Sequence, residues 1–169
     1  MLRIDYVTGS IIDAAVRIHA ALGPGLFESV YEVVLERDLI RRGFRVERQK
    51  ALGFEFEGLR FENAFVLDLL VDGMVVVEIK SVERLAPVFE KQLQTYLRLA
   101  DCRVGLLINF NESLLKQGLK RIVNRLTEPS PRPQLPRVPR VKRCAVEMDA
   151  EVGRGGAEPG RQVRIPAAG

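Results

Sequence analysis

Apolar and polar positions follow two successive periods over the first 126 residues and no period after that. Ile11, Ile12, Ala15, Ile18 and Leu22 recur at the spacing of one helical face, which predicts a helix over about 9–21. Gly23-Pro24-Gly25 breaks it. Val30, Tyr31, Val34 and Leu35 mark the apolar face of a second helix, from about Phe27 to Arg42, with Gly43 where a C-cap would stand. The period then drops to two. Strands are expected at 44–49, 52–57 and 59–63, with Gly58 in the turn between the last two, and again at 65–71 and 75–80. Pro87 suits the first turn of a helix reaching Ala100. Arg103 to Asn109 reads as a buried strand, and 116–125 as a final element of unassigned type. The order α-α-β-β-β-β-β-α-β predicts an α/β or α+β domain, with helices around one mixed sheet.

Composition changes this picture mainly at the C-terminal end. A chain of 169 residues suits one ordinary domain, and its 47% hydrophobic content supports a packed core. Seven of the nine prolines lie beyond Thr127, followed by Gly153, Gly155, Gly156 and Gly160. Residues 1–126 therefore read as the folded domain and 127–169 as a disordered tail rich in Pro, Arg and Gly. Charge divides in the same way. Residues 1–126 carry 18 Lys and Arg against 17 Asp and Glu, a net +1, whereas 127–169 carry 8 against 5, a net +3. The folded part has no strong general attraction for a polyanion. In the tail, Arg132, Arg137, Arg140, Lys142 and Arg143 run without an acidic or aromatic neighbour. Salt-sensitive phosphate contacts and a solvated extension both fit that run; base stacking does not.

Other classes are set aside quickly. No apolar run approaches the roughly 18–20 residues that span a bilayer, so no membrane association is expected. The N-terminus has no basic segment followed by an apolar one, so no secretory signal is expected. Cys102 and Cys144 stand far apart and in no metal-binding spacing, which predicts a reducing, cytoplasmic setting without disulfide or zinc. His19 is the single histidine and is expected to be structural, against a His-based hydrolase.

Candidate chemistry lies in the pair of strands around Asp72-Gly73, a strong hairpin signal. Asp68 interrupts the apolar run Phe65 to Val71, where a carboxylate is disfavoured and costly to bury unpaired. Glu78 and Lys80 close the next strand, and alternation places both on one face with Ile79 on the other. By themselves they also fit a solvated strand face or a weak surface pair. Register decides the matter. A loop centred on Gly73 pairs residue i with 146 − i and sets Asp68 opposite Glu78, leaving Leu67, Leu69, Val71, Val75, Val77 and Ile79 on an apolar face. A two-residue turn would shift parity and separate the carboxylates unless a bulge restored them. Two carboxylates and a lysine brought together suit metal-assisted phosphodiester hydrolysis: hard oxygens bind Mg²⁺ or Mn²⁺, and an ammonium answers developing negative charge.

Gly25-Leu26-Phe27-Glu28-Ser29-Val30-Tyr31 matches the G-x-x-E-x-x-Y signature. Asp68, Glu78-Ile79-Lys80, Gln92 with Tyr96, and the strand Arg103 to Phe110 follow in order. Over about 22–125 the sequence thus resembles the GxxExxY branch of the PD-(D/E)XK nuclease superfamily. The resemblance implies a mixed central sheet flanked by helices, with Asp68 and Glu78 as metal ligands and Lys80 as the catalytic lysine. It makes Glu28 an acidic residue delivered by a helix to the metal, directly or through water, and Gln92 and Tyr96 an auxiliary pair. Val66-Leu67 precede Asp68 where a proline or small residue is common in the wider superfamily. Taken from the residues alone, Glu28 is a favourable helix-dipole contact, Tyr31 a core tyrosine, and Gln92 a polar margin beside the core face of Phe89, Leu93, Leu97 and Ala100. The expected function is a Mg²⁺- or Mn²⁺-dependent nuclease acting on DNA or RNA. The alternative is a catalytically silent nucleic-acid-binding or protein-interaction module on the same fold. A homodimer, with one copy for each strand of a duplex, is left open.

Overall fold

The apolar faces meet across a single sheet in the computed structural model, which describes residues 3–124. Two helices come first, α1 (Arg3–Leu22) and α2 (Glu28–Arg41). Strands β1 (Val46–Phe56), β2 (Leu59–Val71) and β3 (Val75–Lys80) follow, then α3 (Pro87–Leu99) and β4 (Val104–Asn109). A 3-10 turn (Leu115–Gly118) leads into β5 (Leu119–Val123). The five strands lie side by side in chain order. Only β3 and β4 run parallel, and α3 is the crossover that a parallel pair requires. The expected mixed sheet flanked by helices is therefore present.

Each face of the sheet has its own core. Val7, Ile11, Ile18, Tyr31 and Leu35 of α1 and α2 pack with Leu69, Val77, Ile79, Leu106 and Ile108. On the other face Leu93, Tyr96 and Leu97 of α3 pack with Leu67, Leu70, Val76 and Leu107. Strands buried on both faces read as continuous apolar runs, and β3 and β4 do so. Among the described residues no helix is long and apolar enough to cross a membrane.

Three boundaries differ from expectation. Helix α1 starts at Arg3 rather than near 9, because fully buried Val7 continues the Ile11 face and packing carries the helix through Gly9. The four strands expected over 44–71 are two long ones. Breaks in the sequence pattern mark bends inside them: Gln49 has φ +50°, and the β1–β2 register slips between Leu52 and Phe54. Gly53 sits at that slip, where a Cβ would lie 2.6 Å from the Phe61 carbonyl oxygen. The unassigned segment 116–125 holds the end of the 3-10 turn and the edge strand β5. The tail expected over 127–169 lies outside the described residues.

Candidate active site

Asp72 (φ +51°), Gly73 (φ +67°) and Met74 form a three-residue loop, the odd length that brings the two acidic positions level. Leu69, Leu70 and Val71 pair with Val77, Val76 and Val75, so the partner of residue i is 146 − i. The ladder ends at Leu69–Val77. One step further Asp68 Oδ2 accepts a hydrogen bond from the Ile79 backbone N–H at 2.8 Å. The carboxylate has taken the place of a backbone acceptor and lies along the sheet against β3. One expectation is corrected here. Leu67 does not share a face with Leu69 and Val71; it packs with the α3 core, while they pack with α1 and α2. Strand alternation breaks at Asp68, which accounts for the in-plane carboxylate.

Glu78 and Lys80 face the α3 side of β3, with Val76. Lys80 Nζ lies 2.9 Å from Glu78 Oε1 and 5.4 Å from the centre of the Phe89 ring. Glu78 is only 3% exposed, and its second oxygen, Oε2, is buried with no hydrogen-bond partner. Burial, and after it the Asp68 charge, push the Glu78 carboxyl up to about 7. Burial also raises Asp68, against the opposing pull of the Ile79 N–H and Lys80. For Lys80 burial acts downward, but the Glu78 carboxylate, with Glu28 and Asp68, outweighs it and holds the ammonium above its ordinary value. Burial is thus the leading cause at both carboxyls, and Lys80 pulls against it.

The loop before α2 docks against the end of β3. Gly25 has φ +95°, a backbone conformation that suits glycine. The Tyr31 hydroxyl donates to the Gly23 carbonyl at 2.7 Å and accepts the Leu26 N–H at 3.2 Å, and its ring stacks on Phe110 at 4.3 Å. Tyr31 is therefore core with a satisfied hydroxyl. Glu28 Oε1 accepts the Ser81 N–H at 2.9 Å, immediately after Lys80. An open cleft of about 530 Å³ runs beside it, lined by Gly25 to Ser29 with Ser81 and Asn111. On α3, Gln92 Nε2 donates to the Tyr96 hydroxyl. Burial, and then the nearby Glu78 charge, raise the Tyr96 phenol. The fold gathers Asp68, Glu78 and Lys80, brings Glu28 and Tyr96 to their margin, and attaches Gln92 through Tyr96. His19 contacts the Glu112 carbonyl at 2.8 Å.

The sequence model of the PD-(D/E)XK nuclease superfamily matches residues 5–122. The chain belongs to the PD-(D/E)XK nuclease superfamily. Comparison with curated proteins and with solved structures returns no match. PD-(D/E)XK nucleases generally use divalent metal ions, and the residues here fit one in a specific way. Glu78 Oε2 is an orphaned buried oxygen beside a second carboxylate, both pushed toward the protonated form chiefly by burial. Among the described residues no group of three His, Cys, Asp or Glu side chains could hold an ion by itself. Mg²⁺ characteristically keeps several waters and takes one or two carboxylates, so a pair suffices.

Sequence reasoning missed three residues around this candidate site. Asn109 is fully buried at the end of β4. Its Oδ1 accepts the Val82 N–H at 3.0 Å and its Nδ2 donates to the Val82 carbonyl at 2.8 Å, clamping the chain just past Lys80. A lone amide closing an apolar strand was the available signal. Glu32, 5% exposed, lies one turn after Glu28 on α2 and accepts Gln49 Nε2 at 2.8 Å. Its i+4 spacing from Glu28 was legible; nothing in the sequence marked Gln49.

Proposed function

We propose that this chain hydrolyses phosphodiester bonds in DNA or RNA with a divalent cation, Mg²⁺ or Mn²⁺, held by Asp68 and Glu78. The observation that carries the reading is the buried, unpartnered Glu78 Oε2 next to Asp68. An isolated carboxylate oxygen costs too much to bury for nothing, and a cation is the partner its chemistry requests. When bound, the ion would polarise the phosphoryl oxygen and make a water more acidic. The side chains have separate tasks. Asp68 and Glu78 present oxygens from adjoining strands. Lys80, its ammonium steadied between Glu78 and the Phe89 face, answers negative charge developing at the phosphate or orients the attacking water. Glu28 holds the Ser81 N–H and so fixes the strand end that carries Lys80; it would serve a bound ion directly or through a water. Tyr96, with Gln92 bonded to its hydroxyl, borders the carboxylates from α3. Two copies acting together in the cytoplasm would cut both strands of a duplex.

The test is calorimetric titration of Mn²⁺ into the full chain and into the Asp68→Ala/Glu78→Ala variant, with cleavage of labelled DNA and RNA followed in parallel. The expected result is binding and cleavage by the natural chain and neither by the variant. Cleavage that survives Asp68→Ala, Glu78→Ala and Lys80→Ala in turn would sink the assignment. Nucleic-acid binding unaffected by EDTA, without cleavage under any metal, would replace it with the silent module.

A further inference from the structure

The break in alternation at Asp68 has a counterpart directly across the β1–β2 ladder. Arg48 pairs with Leu69 and Lys50 with Leu67, which sets Gln49 opposite Asp68. Gln49 has φ +50°, uncommon for a residue with a Cβ. Strand β1 changes face at this same step: Val46 packs against the α1/α2 core and Leu52 against the α3 core. The two-stranded ribbon therefore rolls over at a single cross-strand position, and that position holds the acidic residue of the candidate site.

Side chains from α2 tie this step down. Glu32 Oε1 accepts Gln49 Nε2 at 2.8 Å and Arg48 Nη1 at 3.3 Å. Arg48 Nε reaches Glu36 Oε2 at 3.0 Å. Glu32 is buried, whereas Gln49 and Arg48 are exposed residues of a strand at the sheet's edge. Without this roll, regular pairing would extend past Leu69–Val77. Leu67 would swing to the α1/α2 face, and the Ile79 N–H would turn to a backbone carbonyl in place of the Asp68 carboxylate.

We propose that Glu32 and Gln49 are positioning residues for Asp68: by holding the roll of the β1–β2 ribbon they aim its carboxylate along the sheet at the Ile79 N–H, beside Glu78. The functional consequence rests on the reading of Asp68 and Glu78 as the metal-holding pair; the geometric statement does not.

The test uses the full chain and two readouts. The first is amide hydrogen exchange at Ile79 relative to Val77, whose residue lies within the ladder. The second is Mn²⁺ affinity by calorimetry. Glu32→Ala is expected to speed Ile79 exchange about tenfold or more over Val77 and to weaken Mn²⁺ binding about tenfold to a hundredfold, the usual loss when an outer partner of a metal ligand goes. Glu32→Gln keeps an acceptor for Gln49 and is expected to restore both. Gln49→Gly permits the left-handed backbone but lacks the hydrogen bond to Glu32, and is expected to behave like Glu32→Ala; it decides alone if Glu32→Ala does not fold. Unchanged Ile79 exchange in Glu32→Ala or Gln49→Gly would overturn the proposal. If the natural chain neither binds Mn²⁺ nor cleaves, the nuclease reading falls, and the exchange comparison still judges the positioning.

Discussion

Glu78 makes the sharpest demands of any single residue here. Its carboxyl, ordinarily near 4.5, is pushed up to about 7 in the metal-free protein by burial and by Asp68. A raised carboxyl binds its proton more tightly in the folded state than in the unfolded one. Its contribution to stability is therefore fully present below about pH 4.5 and is lost as pH rises through about 7. Urea denaturation without metal should show this group costing about 2–3 kcal/mol between pH 5 and pH 8, at roughly 1.4 kcal/mol per pH unit. Glu78→Gln should remove most of that slope and give a protein more stable than the natural one at pH 8. A slope unchanged in the variant would mean that Glu78 is ionised throughout. Mn²⁺ competes with the same proton, so calorimetry in buffers of different ionisation enthalpy should register proton release near pH 6.5. Asp68, Glu78 and Lys80 were legible as residues because a carboxylate in an apolar strand needs a reason. Their burial was not, because exposure depends on what α3 lays over them.

At the scale of elements, the hairpin loop and the α3–β4 contact carry most of the site's geometry. The three-residue loop Asp72 to Met74 sets the register, and two of its residues use left-handed backbone. Gly105 of β4 lies under α3, where a Cβ would meet three Leu93 side-chain atoms at 2.9, 3.0 and 3.1 Å. Leu93 is fully buried and has little room to retreat. Gly105→Val should destabilise the fold by about 1–3 kcal/mol through overpacking, measured by urea titration. It should also weaken the site by lifting Tyr96 and Phe89 with α3. Retention of full stability would mean that α3 can slide over the sheet. The helices, β3 and β4 were readable because long amphipathic or uniformly apolar segments depend little on context. The sequence pattern predicts four strands in place of β1 and β2 because the bend at Gln49 and the bulge over 62–64, across from Gly53, interrupt a period of two in the same way a turn does.

At the scale of the molecule, a cation and the tail make separate predictions. An ion that binds only the folded state raises stability by mass action. Millimolar Mn²⁺ should raise the Tm of the full chain by several degrees, and by nothing in Asp68→Ala/Glu78→Ala. The tail prediction follows from charge alone. Residues 1–126 carry a net +1 and 127–169 a net +3. A chain shortened to 1–126 should keep cleavage while losing nucleic-acid affinity at low salt, with a shallower dependence of binding on salt concentration. An identical salt slope in the two chains would assign the tail no part in binding.

The sequence by itself determined the class of this protein. Its periodicities set helices and strands in an order that yields a mixed sheet, and its Asp68, Glu78-Ile79-Lys80 and Gly25 to Tyr31 segments carried the superfamily that the match over 5–122 bears out. Local pattern suffices there, since a strand's faces and a turn's residues are set within a few positions along the chain. Only the tertiary structure decided how the carboxylates meet. Alternation read along β2 would keep Leu67 with Leu69. In the fold the ribbon rolls over at Gln49 and Asp68, under the hold of Glu32 on α2. That contact joins residues 17 apart in the chain, and the carboxylate it helps to orient then reaches Ile79, 11 residues further on. Interactions across such separations leave no periodic trace, because they depend on where packing sets one element against another.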